Sequence, residues 1–513
     1  MLPSLLVSLL AVASVHAQSG TLDLSFDEVG WVNQGQGQNS IYGTAMAVRA
    51  NGNIVLAGTS STGFNGTNKQ MAYMELSPVG EVLALNFFGA DDRDDFTTGI
   101  AIQPDGKLIL AGYSSPIVSP LVNDIQLVRV DLDGTLDESF GVGGIVITDF
   151  SQPGEPTIEV ANGVSVLPNG NILVVGTGDE GGGGDQMLLA RYLDNGDLDA
   201  VGFGTGGRSY TTPGTPGGGL GMKVLSDGRI LAVGYTYDGG EQPVLARFSS
   251  SGSLDPTFGT AGFAGFNGFL GIAFSLDIQS NGSILVGNQN ENGAGMEVFR
   301  ITSEGAFDPT FGFLGAVSTF IYPPAGGLTP AIVRVQPDDR IVLAGTNENS
   351  QFRALRYTPN GTPDATFGNV GSFTLSGVNG AALCASLQED GKLLLGGFTR
   401  DGVGTRSFYI CRLLNDLTVG VEDLTTGGSS VLVYPNPVTD EATFTYELDV
   451  NATVSIQLFD AKGALVRTIL GRSERQAGSQ MEVLDLAGLP AGRYMLGLST
   501  GDRTVQVQLM RLQ

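Results

Sequence analysis

The sequence holds one histidine, His16, one tryptophan, Trp31, and two cysteines, Cys384 and Cys411. His16 falls in a leader expected to be removed, so the mature chain is expected to have no histidine. Without one there is no Ser-His-Asp triad, no Cys-His pair and no histidine-ligated metal. A single tryptophan leaves no evident aromatic platform for sugars. Only 26 Lys and Arg stand against 52 Asp and Glu, a net charge of −26. That balance argues against a nucleic-acid partner, which needs a positive surface. No window after the leader holds 18 apolar residues, so no transmembrane segment is expected. What is abundant is glycine, 77 of 513 residues, together with 42% hydrophobic residues. This is enough for a buried core, and the length suggests more than one domain.

Residues 1–17 read MLPSLLVSLLAVASVHA. Leu5 to Val15 is an apolar stretch of signal-peptide length, too short to span a membrane. Val15-His16-Ala17 offers small residues at the cleavage positions, so cleavage after Ala17 and a periplasmic or extracellular context are expected. No Lys or Arg precedes the run, and the alternative is a buried N-terminal strand or helix.

Self-similarity is the strongest signal. Seven segments align: ANGNIVLAGTS, PDGKLILAGYS, PNGNILVVGTG, SDGRILAVGYT, SNGSILVGNQN, PDDRIVLAGTN and EDGKLLLGGFT. Their second turn residues are Gly52, Gly106, Gly170, Gly228, Gly282, Asp339 and Gly391, spaced by 54, 64, 58, 54, 57 and 52 residues. Asn or Asp followed by Gly between β-rich runs predicts a type I′ hairpin with positive φ at both residues. Asp339 is expected to adopt that conformation under some strain. Four strands surround each hairpin, near Phe96–Gln103, Lys107–Tyr113, Asp124–Asp131 and Gly144–Phe150 in the second copy. No helical period runs for three turns. Four short strands repeated seven times predict an all-β fold with a seven-bladed β-propeller over residues 18–416.

A second motif recurs between the third and fourth strands: GTLDESFGVGG, GDLDAVGFGTGG, GSLDPTFGTAG, GAFDPTFGFLG and GTPDATFGNVG. The seventh hairpin has none after it, but an orphan copy, GTLDLSFDEVG, precedes the first. The N-terminal segment is therefore expected to supply the outer strand of the last blade and close the ring. Arg129, Arg191, Arg247, Arg300 and Arg356 each stand eight residues before a motif aspartate: Asp137, Asp199, Asp255, Asp308 and Asp364. Arg412 is expected to pair with Asp23. The first copy has Glu75 and Leu83 at these two positions, so both partners are absent together. The repeats thus serve as an internal comparison that points to structural Arg–Asp pairs; Ca²⁺ binding by these aspartates is the alternative. A small residue recurs on the first strand: Ala45, Gly99, Gly163, Gly221, Ser275 or Cys384. Cys384 and Cys411 are expected one strand apart, beyond disulfide reach, as two buried thiols.

In a four-strand meander the Asx-Gly and LDxxFG turns share one face. The loops of the other face differ between copies, and variable loops on a rigid scaffold are the usual place for recognition. Two are acidic, with Asp91, Asp92, Asp94 and Asp95 in one and Asp179, Glu180 and Asp185 in the other. They are weak Ca²⁺ candidates, against the plainer reading of solvated charge. Paired carboxylates for glycoside hydrolysis are a further alternative. Residues 417–430 read as a linker. Residues 431–513 alternate apolar and polar runs, which predicts a small immunoglobulin-like β-sandwich.

The repeats, clearest in QPDGKLILAGY and GTLDESFG, resemble the delta-60 repeats of bacterial secreted proteins. The C-terminal part resembles the type A sorting domain of type IX secretion in Bacteroidota. The matching residues are Tyr434-Pro435-Asn436-Pro437, the Leu489-Pro490-Ala491-Gly492-Arg493-Tyr494 turn and strand, and a last strand ending at Gln513. That last strand, TVQVQLMRLQ, lacks a lysine frequent near its start in the family. The resemblance implies passage through the periplasm of a Gram-negative bacterium and engagement of the type IX machinery. Release or anchoring at the outer surface would follow. Neither resemblance implies catalysis or a cofactor. The expectation is a monomeric, non-enzymatic binding or adhesion module for a glycan or protein. The alternatives are a carboxylate-based polysaccharide hydrolase or lyase and a purely structural surface component. Deleting residues 431–513 is expected to trap the chain in the periplasm. Cell fractionation of the deletion strain checks this, and undiminished export would defeat it.

Overall fold

Each of the seven hairpins turns on an Asx side chain. Asn51, Asp105, Asn169, Asp227, Asn281, Asp338 and Asp390 each accept, through Oδ1, the backbone N–H two residues on. In the second copy Gly106 N–H donates to the Gln103 carbonyl at 2.9 Å, and Gln103 N–H to the Lys107 carbonyl at 2.8 Å. Only the second turn residue has positive φ, 91° at Gly106. The expected type I′ turn is therefore corrected to a three-residue loop, a type I turn followed by a left-handed residue. The Asx side chain completes its own turn in the right-handed region, so positive φ is needed once. Asp339 takes that place at φ 64°, and its carboxylate is held by the Ser280 N–H at 2.7 Å.

The computed structural model describes residues 19–37, 39–62, 68–89, 92–117, 122–150, 157–179, 184–211, 216–266, 268–290, 295–319, 330–415, 431–434, 438, 440–448, 450–460, 465–490, 492–500 and 503–511. The expected leader, 1–17, and linker, 417–430, lie outside them. The described residues contain no helix. The chain divides into two units, Met1–Asp416 and Leu417–Gln513.

Among the described residues the first unit holds seven antiparallel meanders. The second runs Arg93–Ile102, Leu108–Pro116, Asp124–Val130 and Ile145–Thr148. The fourth departs from the expected four strands. It keeps three, ending at Glu241–Phe248, and its outer edge is reduced to a single bridge between Ala246 and Phe263. Glycine at Gly262, Gly265 and Gly268 deprives that segment of side chains to pack. In the seventh sheet the outer strand is Trp31–Gln34, antiparallel to Arg406–Leu413, with Trp31 opposite Cys411. Asp23 N–H donates to the Arg412 carbonyl at 2.9 Å. The apolar core is split into clusters shared by consecutive sheets. One of them joins Ile41, Leu56 and Met74 of the first sheet to Leu394, Phe408 and Ile410 of the seventh. Cys384 and Cys411 are free, buried thiols, and burial pushes Cys384 up to about 12.

The innermost strand of six sheets carries a β-bulge, at Gly43/Ala45, Thr97/Gly99, Ala161/Gly163, Gly219/Gly221, Ala273/Ser275 and Ala382/Cys384. The extra residue faces inward, and Thr44, Thr98, Asn162, Leu220, Phe274 and Leu383 line one cavity of about 420 Å³. Three of these residues also join neighbouring sheets: Thr44 Oγ1 donates to the Thr97 carbonyl (2.7 Å), Asn162 to that of Gly219 (2.8 Å) and Thr98 to that of Ala161. The bulge drives a carbonyl into the next strand and explains the glycine recurring there. A Cβ on Gly112 would lie 1.8 Å from the Phe96 carbonyl oxygen.

The second unit has two sheets. One consists of Val431–Tyr434, Glu441–Leu448 and Gly478–Asp485, and the other of Leu465–Arg475, Ala452–Asp460, Gly492–Thr500 and Arg503–Arg511. Phe444, Tyr446, Ile456, Leu458 and Leu496 belong to its core.

Gly112→Ala is expected to cost about 3 kcal/mol or more, the upper end for overpacking, because the clash is with backbone. Denaturant unfolding measures it, and a loss below about 1 kcal/mol would contradict the close approach.

Candidate functional site

The recurring charged residues meet in six similar nodes. The guanidinium Nε of Arg129, Arg191, Arg247, Arg300, Arg356 and Arg412 lies 2.7–2.8 Å from the Oδ2 of Asp137, Asp199, Asp255, Asp308, Asp364 and Asp23 respectively. The guanidinium also covers the motif phenylalanine, 4.6 Å from the Phe26 ring centre at Arg412 and 4.9 Å from that of Phe367 at Arg356. The aspartate Oδ1 accepts from a Ser or Thr two residues on, as Asp308 does from Thr310 N–H (2.9 Å) and Oγ1 (2.7 Å). The Arg191–Asp199 node lacks that hydroxyl, and Gly202 N–H takes its place at 2.9 Å from Asp199.

Pairing within one sheet was expected; a link to the next sheet was not. Arg191 Nη1 donates to the Ser250 carbonyl and Arg247 Nη1 to that of Ser303, both at 2.7 Å, and Arg300 Nη1 to that of Pro359 at 3.0 Å. Arg129 reaches Asp194 in the same way, and Arg412 reaches Pro78 of the first sheet. The first copy does not lose both partners, as its sequence implied. Glu75 at the arginine position meets Arg49, which follows the first strand of the same sheet, at 3.1 Å, and Arg49 donates onward to the Gly106 carbonyl. The charges are exchanged between strands, which comparison at fixed positions could not reveal. Arg356 is only 1% exposed, so removing one member of such a pair would leave a buried charge, at about 3–5 kcal/mol.

The acidic loop residues are not gathered into one site. Asp91 and Glu180 lie outside the described residues. Asp92 is exposed. Asp94 is paired with Lys69 at 2.6 Å. Asp95 is buried and accepts from Ser114. Asp179 and Asp185 face each other across a strand pair. Burial and the Asp179 charge raise the pKa of Asp185.

A different trio converges on the face of the variable loops. Asp124 opens the third strand of the second sheet, Asp149 follows its fourth, and Glu159 precedes the first strand of the third sheet. One carboxylate oxygen from each lies within 4.8 Å of the others. The Glu159 N–H is anchored on the Asn123 carbonyl at 2.8 Å. Asp124 is paired through Oδ2 with Arg93, while its buried Oδ1 has no hydrogen-bond partner. Glu159 is 0% exposed, and neither of its oxygens has a partner. Burial pushes its pKa up to about 7. The Thr157 hydroxyl counters part of that rise without reaching hydrogen-bond geometry, and it too is buried without a partner. The repeats did hold a signal for Glu159. The matching positions in other copies are Ile41, Gly217, Gly271 and Gly380, with a carboxylate recurring only at Asp95.

Residues 103–140, 167–200, 225–258, 336–367 and 388–419 match the domain of unknown function DUF5122 β-propeller. Residues 432–511 match the secretion system C-terminal sorting domain. The chain carries DUF5122 propeller repeats and a type IX sorting domain. The sorting domain points to the type IX secretion system and implies secretion to the cell surface or outside. No described helix is long and apolar enough to cross a membrane. Of the expected sorting residues, Tyr434 ends a strand and Pro435, Asn436 and Pro437 lie outside the described residues. Gly492 opens a strand, and Tyr494 is buried with its hydroxyl on the Pro490 carbonyl at 2.7 Å.

No curated protein matches the chain. Among solved structures, a protein of unknown function from Dyadobacter fermentans is 15% identical, covering 75% of this chain and 100% of its own, with a TM-score of 0.40. A Bacillus subtilis arabinanase is 12% identical over 48% of this chain and 91% of its own, TM-score 0.28. A quinoprotein alcohol dehydrogenase-like protein from Bacteroides thetaiotaomicron is 10% identical over 81% and 84%, TM-score 0.29. At these scores the likenesses carry no functional inference.

The DUF5122 nodes set a pH dependence. Burial alone would raise Asp23, Asp308 and Asp364, but hydrogen bonds from Ser25, Thr310 and Thr366 and the facing arginines hold them below the usual carboxylate range. A lowered folded-state pKa gives stability that is full above the unfolded value, about 3.9, and is lost as pH falls through the folded values. The nodes' contribution to stability is thus expected to be level above about pH 5 and to be lost below about pH 4, so the acid-side fall of the denaturation midpoint should be less steep in Asp308→Asn. An equal slope in that variant would remove the node from the account.

Proposed function

We propose that this is an exported, closed, seven-bladed β-propeller followed by an immunoglobulin-like sorting domain, and that it binds a glycan or protein without catalysis through its variable loops. Closure is supported by the strand Trp31–Gln34 in the last sheet and by the Asp23–Arg412 node. The observation that carries the binding reading is how the recurring polar groups are used. The LDxxFG aspartates, their hydroxyl neighbours and the arginines bond one another and the next sheet. The repeat motif builds the scaffold, and what differs between copies is left for a ligand. Ca²⁺ binding by these aspartates is disfavoured because both carboxylate oxygens are already engaged.

The hydrolase reading draws on Glu159, whose raised pKa suits a general acid. Its complete burial weighs against it, because the acid must come within hydrogen-bond reach of the glycosidic oxygen. The purified chain, screened on a glycan array and incubated with soluble polysaccharides, is expected to retain a ligand without releasing reducing ends. Alanine at Asp91, Asp92, Asp179 and Glu180 is expected to leave folding intact. Time-dependent sugar release that Asp124→Asn abolishes would replace binding by hydrolysis.

A further inference from the structure

The carboxylate trio does not depend on what the variable face binds. Asp124, Asp149 and Glu159 bring three formal negative charges to one spot, with oxygens from all three within 4.8 Å. Arg93 answers Asp124 through its second oxygen. Arg208 is near enough to attract Glu159, but its guanidinium is stacked 4.4 Å over the Phe150 ring. Glu159 is wholly buried with two unpartnered oxygens, and Asp124 Oδ1 and the Thr157 hydroxyl are also buried and unpartnered.

A buried carboxylate in this state takes up either a proton or a cation, because leaving it bare costs several kcal/mol. A single proton on Glu159 satisfies at most one acceptor, such as Asp124 Oδ1, and leaves the other carboxylate charges where they are. A cation engages them together. From these oxygens we infer that Asp124, Asp149 and Glu159, with the Thr157 hydroxyl as a further donor, form a binding site for a divalent cation of the Ca²⁺ type. The donors are all hard oxygens, with neither sulfur nor imidazole, which suits Ca²⁺ rather than zinc or copper. Oxygens on opposite sides of one Ca²⁺ stand about 5 Å apart, given bonds of roughly 2.3–2.6 Å, so the spread of the trio fits a single ion. The ligands come from the third strand of one sheet and from both ends of the connection to the next. A bound ion would therefore clamp two sheets where their loops leave the scaffold. The site shares no residue with the acidic loops at 91–95 and 179–185.

The test is calcium chloride titrated into the full chain by calorimetry, with thermal unfolding followed in Ca²⁺ and in chelator. The expected result is a site with a Kd near 10⁻⁴–10⁻³ M, roughly the range of extracellular Ca²⁺ modules, and a melting point raised by Ca²⁺. Glu159→Gln and the exposed Asp149→Asn should each weaken that site by about tenfold or more, while Asp92→Asn and Asp185→Asn leave it unchanged. No binding up to about 10 mM Ca²⁺, or equal binding in wild type and both trio variants, overturns the assignment. So does a Glu159→Gln chain more stable than wild type with no Ca²⁺ effect in either. That result would make Glu159 a neutral buried acid.

Discussion

One guanidinium group per node decides how this repeat becomes a scaffold. Within a sheet it fixes the LDxxFG turn by holding the aspartate, covering the phenylalanine and, in most nodes, donating to the Ser or Thr between them. Between sheets the same group donates to a turn carbonyl of the next copy in five nodes, and at Arg356 to the Asn415 and Ser19 side chains instead. Arginine serves here where lysine would not, because a planar fork with several donors satisfies carboxylate, hydroxyl and carbonyl at once. Its burial makes the arrangement all-or-nothing, since a guanidinium deprived of its aspartate would stay desolvated. The first sheet shows which part is indispensable. Glu75 stands at the arginine position and Leu83 at the aspartate position, yet Arg49, after the first strand, still brings a guanidinium that donates to the next turn at Gly106. The onward link to the neighbour is retained even where the motif itself has decayed.

Much of this was readable because the chain compares itself with itself seven times. Arg and Asp eight residues apart, present together in copy after copy, are what a contact looks like without an alignment. The orphan GTLDLSFDEVG ahead of the first hairpin pointed to Asp23 beside Arg412 for the same reason. The reading failed where a residue acts through geometry that spacing does not encode. Asn51 and its equivalents suggested positive φ from the dipeptide rule, but their side chains close the turn in another way. The bulge ahead of Gly99 is invisible as a pattern, although its consequence, the glycine at Gly112, was printed in nearly every copy. The Arg49–Glu75 exchange defeats any comparison made column by column.

The carboxylate trio was missed for a related reason. A run of acidic residues is a poor guide to such a site, because adjacent carboxylates repel and turn outward into water. Asp92 does so, while Asp94 and Asp95 are taken by Lys69 and Ser114. A site able to hold charge out of water needs carboxylates that the fold brings in singly, from places 25 or more residues apart in the chain for Asp124 or Asp149 and in different sheets for Glu159. The better signal was an acid just before a strand, at a position where most sister copies have glycine or isoleucine. Such a substitution is costly unless something compensates it, and in Glu159 nothing among the described residues does so fully.

These observations divide the labour between the two faces of each sheet. Along the LDxxFG edge the acceptors are spent on arginine, on hydroxyls and on backbone N–H, so change there breaks contacts in two sheets. Along the opposite edge the strands run into connections of differing length, and the polar groups at their roots are only partly spoken for. Backbone bonds join neighbouring sheets there, as from the Glu159 N–H to the Asn123 carbonyl, and these survive a change of side chain. That edge is also where Glu159 stands buried with neither carboxylate oxygen partnered. The proposed binding edge is thus the one whose polar groups the repeat does not itself satisfy.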